Sequence, residues 1–143
     1  MRIREFTPAD LPTLQRIHSA QNFPYPFPDL HDPLFLTKLV LEPDPPGQGI
    51  AAAALLRLTA EAYLLLDPAH GSPRDRLAAL LALQDAASRD AWSRGLSDVH
   101  AWLPPAIATK FGRRLTRLGW LRDDLWTPFC KPLSPPGSTS TST

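Results

Sequence analysis

The sequence predicts an α/β (α+β) domain, in which a mixed, mostly antiparallel sheet of about six to seven strands is flanked by about four helices. Three observations lead to this fold class. Short apolar stretches alternate with stretches of helical periodicity, the helical stretches carry capping and stop residues, and clusters among the 17 prolines separate the segments. The 143 residues suit a single domain, which we assign to residues 1–133. Residues 134–143, which are rich in serine, threonine and proline, predict a disordered tail.

The composition excludes several classes of protein. With 43% hydrophobic and 20% charged residues, the chain is globular rather than disordered or membrane-embedded. A net charge of +1 gives no bulk attraction to nucleic acid or to an anionic membrane. Cys130 is the only cysteine, so an intramolecular disulfide and a Cys-rich zinc site are excluded. Because residues 1–10 lack the apolar core of a signal peptide and residues 50–56 are too short to span a bilayer, we expect a soluble, cytoplasmic protein.

The N-terminal segment predicts a strand followed by a helix. Residues 2–6 alternate enough to form the strand. Thr7, followed by a proline, fits an N-cap, but Pro12 leaves Asp10 as an alternative cap. We interpret His18 as a surface or boundary residue of this helix rather than as a ligand. It lies on one helical face with the apolar residues Leu11, Leu14 and Ile17.

A stiff loop, a short helix and three strands are predicted next. Aromatic residues and prolines alternate through residues 21–28, which indicates an extended loop. Its rings either cover an edge of the core or form a wall of a substrate site, since loops on a rigid scaffold often carry recognition. Residues 33–36 predict a short second helix. Residues 37–42, 50–58 and 61–67 predict the strands of an antiparallel meander.

The following segment predicts one parallel crossover. Ser72, followed by a proline, is a good N-cap, and Asp75 completes a capping box. The long helix that begins here ends at Gly95, in the manner of a C′ glycine. Residues 97–103 predict a further strand. Together with the strand at residues 61–67, they form a β-α-β unit within the mostly antiparallel sheet.

A last helix and two closing strands complete the predicted domain. The helix begins at residues 104–105 and ends at Gly119. Residues 120–122 and 126–131 predict strands, and Pro128 favours an edge position for the last one. An exposed antiparallel edge of this kind permits a homodimer.

The order of these elements, together with three local patterns, resembles the GNAT-type N-acetyltransferases over nearly the whole chain. The clearest pattern is FGRRLTRLGW at residues 111–120, which looks like the family's helix ending in an aromatic–x–x–leucine–glycine–aromatic run. Residues 3–10 are similar to the family's N-terminal segment, and residues 60–68 to the strand that leads to its cofactor loop. The resemblance implies a GNAT-like domain that uses acetyl-CoA, or another acyl-CoA, as co-substrate.

The resemblance also implies where the cofactor binds. In the family, the backbone of the strand before the loop holds the pantetheine arm, which here is the backbone near Leu65 and Leu66. The loop and the following helix N-terminus hold the pyrophosphate, since exposed N–H groups and the helix dipole favour an anion. The residues at those positions are Gly71, Ser72, Arg74 and Arg76. The family has two further small residues where this chain has the arginines. Arg74 and Arg76 therefore either bind the phosphates themselves or are solvated first-turn residues.

The candidate catalytic residue is Glu61. It interrupts an apolar strand where some members of the family keep a general base, and a carboxylate can accept the proton that an amine nucleophile must lose. The alternative is a solvent-facing glutamate at the start of a hairpin strand. The family's general acid, a tyrosine in the last helix, is replaced here by Leu115. Tyr63, Tyr25 and His100 are candidate substitutes.

Two functions follow from this sequence. The first is an acyl-CoA-dependent N-acyltransferase, above all an N-acetyltransferase, acting on a small-molecule or peptide amine without metal. The second is a catalytically silent GNAT-fold domain that binds a ligand or a protein, because two functional motifs depart from the family's pattern. We interpret Arg113, Arg114 and Arg117 as a solvated helix surface rather than a nucleic-acid site, and we expect neither nucleic acid nor membrane as a partner.

Overall fold

The computed structural model describes residues 1–136, which contain three α-helices, one 3-10 turn and five strands. The chain divides into two compact units, Met1–Trp102 and Leu103–Thr143. The first unit contains β1 (Arg2–Glu5), the 3-10 turn Pro8–Asp10, α1 (Leu11–Gln21), β2 (Phe35–Glu42), β3 (Ala52–Arg57), β4 (Ala60–Glu61), α2 (Pro73–Ser93) and β5 (Val99–His100). The second unit contains α3 (Pro105–Arg117).

The main sheet has three antiparallel strands in the order β1-β2-β3. Its central strand, β2, pairs Leu41 with Ile3 on one side and Val40 with Ala53 on the other. A register shift between Phe35 and Thr37 marks an irregularity at the start of β2. Because β2 is paired along both edges, it carries the most deeply buried side chain of the unit, Val40 at 1% exposure.

A small core lies where α1 packs on this sheet. Leu14 of α1, Val40 of β2 and Leu30 of the intervening segment are buried and touch one another. Partly buried apolar residues surround them: Phe6, Leu11, Ile17, Phe27, Phe35, Ile50 and Leu55. Phe27 belongs to the aromatic–proline segment, so the prediction that this segment covers a core edge is confirmed for that ring.

The start of α1 is fixed by a buried carboxylate, that of Asp10, which is 7% exposed. The Asp10 side chain accepts hydrogen bonds from the backbone N–H of Thr7 at 2.7 Å and from the guanidinium of Arg4 at 2.8 and 2.9 Å. Arg4 also donates to Glu42 at 2.7 Å. The hydrogen bonds from Arg4 and Thr7 hold the pKa of Asp10 well below its usual range. Both predicted caps therefore contribute: Thr7 precedes the 3-10 turn, and Asp10 anchors it to β1 and β2.

A second, parallel sheet consists of β4 and β5 alone, connected through α2. This is the predicted parallel crossover in a much shorter form. Arg57, the last residue of β3, links the two sheets: its guanidinium donates to Ser97 Oγ at 2.8 Å and lies 3.4 Å from an Asp98 oxygen.

The predicted sheet of six to seven strands is wrong, because the described residues form a three-stranded and a two-stranded sheet instead. The predicted meander also differs, since β3 pairs with β2 while β4 pairs with β5. Of the strand predicted at residues 61–67, only Glu61 is assigned to a strand. A strand extends only as far as a partner satisfies its backbone groups, and β5 supplies two residues. Periodicity records which residues are apolar and not which segments pair.

The helices agree better with the sequence than the strands do. The α2 helix begins after Ser72, and the stop predicted at Gly95, which has a φ of +85°, is confirmed. The helix predicted at residues 33–36 is wrong, so three α-helices stand where about four were expected. Asp32 accepts from the backbone N–H of Leu34 at 2.9 Å, and the chain then enters β2 at Phe35.

In the second unit, α3 ends before Gly119, which has a φ of +89°. The strands predicted at residues 120–122 and 126–131 are wrong: these segments are irregular, and Leu121 and Phe129 are almost fully exposed. Of the tail predicted at residues 134–143, residues 137–143 lie outside the described part of the chain. Within residues 1–136, no helix is both long enough and apolar enough to cross a bilayer.

Candidate functional site

The parallel pair β4–β5 places Glu61 directly beside His100. The ladder continues one step further, because the N–H of Ala62 donates to the His100 carbonyl at 2.7 Å. Neighbouring residues on paired strands share a face, and side chains alternate along each strand. One face of this small sheet therefore carries a carboxylate and an imidazole in adjacent positions.

Tyr63 belongs to the same cluster. The Glu61 carboxylate, which acts on the hydroxyl as a hydrogen-bond acceptor and as a negative charge, raises the pKa of Tyr63. The phenol is therefore protonated at neutral pH. Tyr63 is 82% exposed and Glu61 is also exposed, so both are open to solvent, as the solvent-facing alternative for Glu61 predicted.

The strand β5 contributes the other half of the cluster. The His100 ring stacks on that of Trp102 with their centroids 6.0 Å apart and 14° between the planes. His100 Nε2 lies 3.7 Å from an oxygen of Asp98, which in turn faces the Arg57 guanidinium. Asp98 and Trp102 thus contact His100 on β5, and Glu61 of β4 lies beside His100.

The two residues predicted to hold the pantetheine arm, Leu65 and Leu66, lie in the irregular connection between β4 and α2. Leu65 is 92% exposed and Leu66 is 37% exposed. They follow Glu61 along the chain by only a few residues. The sequence predicted a strand at these positions, but the structure has none there.

The start of α2 gathers the remaining predicted cofactor residues around a carboxylate. Asp75 accepts from the backbone N–H and the hydroxyl of Ser72 at 2.7 and 2.8 Å, and its own N–H donates to Ser72 Oγ at 3.1 Å. These hydrogen bonds lower the pKa of Asp75. Gly71 has a φ of +59°, and a Cβ built there would lie 2.8 Å from an Asp75 oxygen. Asp75 therefore occupies the side of the helix N-terminus that faces Gly71.

The side chains of Arg74 and Arg76 differ in their contacts. The Arg76 guanidinium turns back and donates to the Gly71 carbonyl at 2.9 Å and to the His70 carbonyl at 3.3 Å. Arg74 is an exposed residue of the first helical turn. Side-chain hydrogen bonds thus tie Arg76 to the loop before α2.

Sequence reasoning identified Glu61 and named Tyr63 as a candidate acid, but it missed that the Glu61 carboxylate acts on the Tyr63 hydroxyl. The spacing in the sequence could have indicated this, because side chains two residues apart on an extended segment lie on the same side. The link from Arg57 to Ser97 and Asp98 could not be found this way, since it joins residues about forty positions apart. No group of three or more His, Cys, Asp or Glu side chains in residues 1–136 is arranged to hold a metal ion.

No protein-family model, curated protein or solved structure matches this chain.

Proposed function

We propose that this chain is an acyl-CoA-dependent N-acyltransferase, above all an N-acetyltransferase, that transfers the acyl group directly to a small-molecule or peptide amine. The observation that carries the proposal is the position of Glu61 next to His100 in the parallel β4–β5 pair, together with the effect of the Glu61 carboxylate, which raises the pKa of Tyr63. A carboxylate next to a protonated phenol supplies both proton-transfer groups that aminolysis of a thioester needs. The proposal rests on this local unit and requires no large sheet.

In the proposed reaction, the amine nitrogen attacks the thioester carbonyl carbon, and the C–S bond then breaks. Glu61 accepts the proton that the nitrogen loses. Tyr63 donates its hydroxyl proton to the departing sulfur and regains one from Glu61. One proton thus moves from nitrogen to sulfur. The raised pKa of Tyr63 keeps the phenol protonated before the relay, and the phenol is neutral again after it.

The acyl-CoA would lie along the connection between β4 and α2. Backbone N–H groups near Leu65 and Leu66 would polarise the thioester carbonyl, as donors aimed at a developing oxyanion do. Arg74, which is exposed, would bind phosphate, and Arg76 would join it by exchanging the loop carbonyls for phosphate oxygens. The proposal includes the cytoplasm as the place of action, and the exposed free thiol of Cys130 suits a reducing compartment.

The test separates cofactor binding from chemistry. Thermal-shift titration with acetyl-CoA should give a saturable rise in melting temperature, equivalent to about 2.7 kcal/mol at a hundredfold excess over the dissociation constant. The variant Arg74→Ala/Arg76→Ala should lose this rise. Turnover is then measured with a panel of primary amines by mass spectrometry of the acylated product, because the exposed Cys130 thiol would interfere with thiol-detecting reagents.

The catalytic assignment requires matched variants. Glu61→Gln should lower kcat by about 10²–10⁴-fold, the usual contribution of a general base, without changing the acetyl-CoA thermal shift. Glu5→Gln, an exposed glutamate on β1, is the control and should leave kcat unchanged. Absence of any thermal shift at millimolar acetyl-CoA, or full turnover by Glu61→Gln, would rule out the proposal.

A non-catalytic domain that binds a ligand or a protein is the second candidate, and one observation favours it. The helix N-terminus that would receive the pyrophosphate already holds the Asp75 carboxylate, which the Ser72 N–H and hydroxyl bind. A negative phosphate approaching this point would meet like charge. Asp75→Asn distinguishes the candidates: it should tighten acetyl-CoA binding if the site is used, and leave the thermal shift absent if it is not.

A further inference from the structure

The second unit carries an excess of positive charge that the chain as a whole does not show. Residues 103–143 contain six lysines and arginines but only two acidic residues, Asp123 and Asp124, which gives this unit a net charge of +4. Residues 1–102 contain nine basic and twelve acidic residues, which gives the first unit a net charge of −3. The overall charge of +1 therefore combines two opposite charges, and the attraction for anions is confined to the second unit.

The positive charges of α3 form one stripe along the helix. Lys110, Arg113, Arg114 and Arg117 are spaced so that they project from the same side. All four residues are exposed. Within residues 1–136, none of them forms an ion pair with a carboxylate. The stripe is therefore available to an external anion.

An apolar stripe runs beside the cationic one. Ile107, Phe111 and Leu115 lie four residues apart on α3, and Leu118, which caps the helix, continues the row. The Arg114 guanidinium lies 6.0 Å from the centre of the Phe111 ring, at the border between the two stripes. A helix with an apolar stripe next to several lysines and arginines is typical of proteins that bind at a membrane interface.

The segment that follows α3 exposes large apolar side chains to solvent. Leu121 is 90% exposed, Leu125 is 88% exposed, Phe129 is 95% exposed and Leu133 is 91% exposed. Single exposed leucines are ordinary on a protein surface, but a group of large apolar side chains close together marks an interaction site. The second unit therefore presents an apolar segment directly after its cationic helix.

These apolar side chains decide which anionic partner fits the unit. A nucleic acid would neutralise the cationic stripe but would leave the leucines in water. A bilayer of anionic lipids offers charged headgroups to the cations and acyl chains just beneath them to the apolar side chains. Pro128 and Pro132 have no backbone N–H, which lowers the cost of bringing this irregular segment to the interface.

We propose that the second unit binds peripherally to the surface of an anionic lipid bilayer. The cations of α3 contact the headgroups, with the aliphatic stems of the arginines along the apolar surface and the guanidinium groups among the lipid phosphates. Phe129 and the exposed leucines of residues 121–133 enter the outer edge of the acyl region. This binding does not depend on Glu61 or on acyl transfer.

The electrostatic part is tested by sedimentation with vesicles of phosphatidylcholine and phosphatidylserine in equal parts, and with phosphatidylcholine vesicles as the match. Wild type should bind the anionic vesicles at least tenfold more tightly, and added salt should weaken this binding. Arg113→Gln/Arg117→Gln should weaken it about thirtyfold, because each cation near the surface contributes a factor of about five. Arg113→Lys/Arg117→Lys, which keeps the charge, should retain binding.

A control variant separates the stripe from the total charge of the chain. Arg2→Gln/Arg16→Gln removes two positive charges from exposed positions of the first unit, and it should leave vesicle binding unchanged. Circular dichroism and melting temperature check that each variant is folded.

The apolar part is tested at Phe129, whose exposure means that its replacement leaves the fold intact. Phe129→Ser should weaken binding to anionic vesicles by at least about tenfold, because the ring then no longer enters the acyl region. Leu83→Ser, at a leucine of α2 that is 53% exposed, is the control and should have no effect. A polarity-sensitive fluorophore on Cys130, the only cysteine, should shift its emission to the blue with anionic vesicles.

Four results would overturn the proposal. One is equal affinity of wild type for the two kinds of vesicle. Another is undiminished binding by Arg113→Gln/Arg117→Gln or by Phe129→Ser. A third is binding without a blue shift at Cys130, which would mean that the segment stays in water. The fourth is binding to single-stranded polyuridylate without binding to vesicles, since the cationic stripe would then serve a nucleic acid.

Discussion

Replacing Asp10 by asparagine should destabilise the first unit, because this carboxylate joins three elements. It is buried, accepts two hydrogen bonds from Arg4 and one from the Thr7 backbone, and Arg4 in turn reaches Glu42 on β2. A hydrogen bond to a charged group contributes about 1.5–3 kcal/mol. Asparagine keeps one acceptor oxygen for Thr7 but loses the charge, and the Arg4 side chain is a quarter exposed, which weakens the pair.

We therefore expect Asp10→Asn to lower the free energy of unfolding by about 2 kcal/mol at neutral pH. For a chain of this size that corresponds to roughly 8 °C in melting temperature. The control is Asp75→Asn, which changes the same capping-box position at α2, where the hydrogen-bond donors are the backbone N–H and hydroxyl of Ser72. Because Asp75 is exposed and lacks a buried ion pair, its loss should be clearly smaller.

The pH dependence gives a second measure of the same contact. The pKa of Asp10 is lowered in the folded protein, so its contribution to stability is complete above the unfolded pKa near 4 and decreases as the pH falls through the folded value. Urea unfolding of wild type and Asp10→Asn from pH 7 to pH 3 should therefore show a difference that is constant above about pH 5 and shrinks below about pH 4. A negligible difference at pH 7, or one independent of pH, would refute this account.

Three further predictions concern the β4–α2 region. Glu61→Gln should lower the pKa of Tyr63, measured by ultraviolet titration of tyrosinate, because the carboxylate raises it; an unchanged titration would mean that the two side chains are apart. Gly71→Ala should destabilise α2 by roughly 1–2 kcal/mol, since the residue has positive φ and its Cβ would press on Asp75, and an unchanged melting temperature would contradict this. The α2 cap should weaken on acidification below about pH 4, as Asp75 has a lowered pKa; Ser72→Ala, measured by circular dichroism, should remove much of that dependence.

The helices were the part of the fold that the sequence determined best. Ser72 and Asp75 form the predicted capping box, and Gly95 takes the positive φ expected after a helix end. These signals work because a helix satisfies its backbone within a few residues, so its ends depend on local chemistry. The strand prediction at Arg2–Phe6 succeeded for a similar reason, since alternation and the following cap bracket it closely.

Strand pairing and the candidate site were decided by the tertiary structure. Residues 61–67 have the composition of a strand, yet Glu61 is the one residue of this range that is assigned to a strand, and its partner lies nearly forty residues away in β5. The same pairing brings His100 beside Glu61, and the contacts of the His18 ring with Tyr25 and Phe27 of the aromatic–proline segment help to bury His18 Nε2. A strand forms its backbone hydrogen bonds with another segment of the chain, and a site combines side chains from several segments. Only the folded chain, therefore, determines which residues meet.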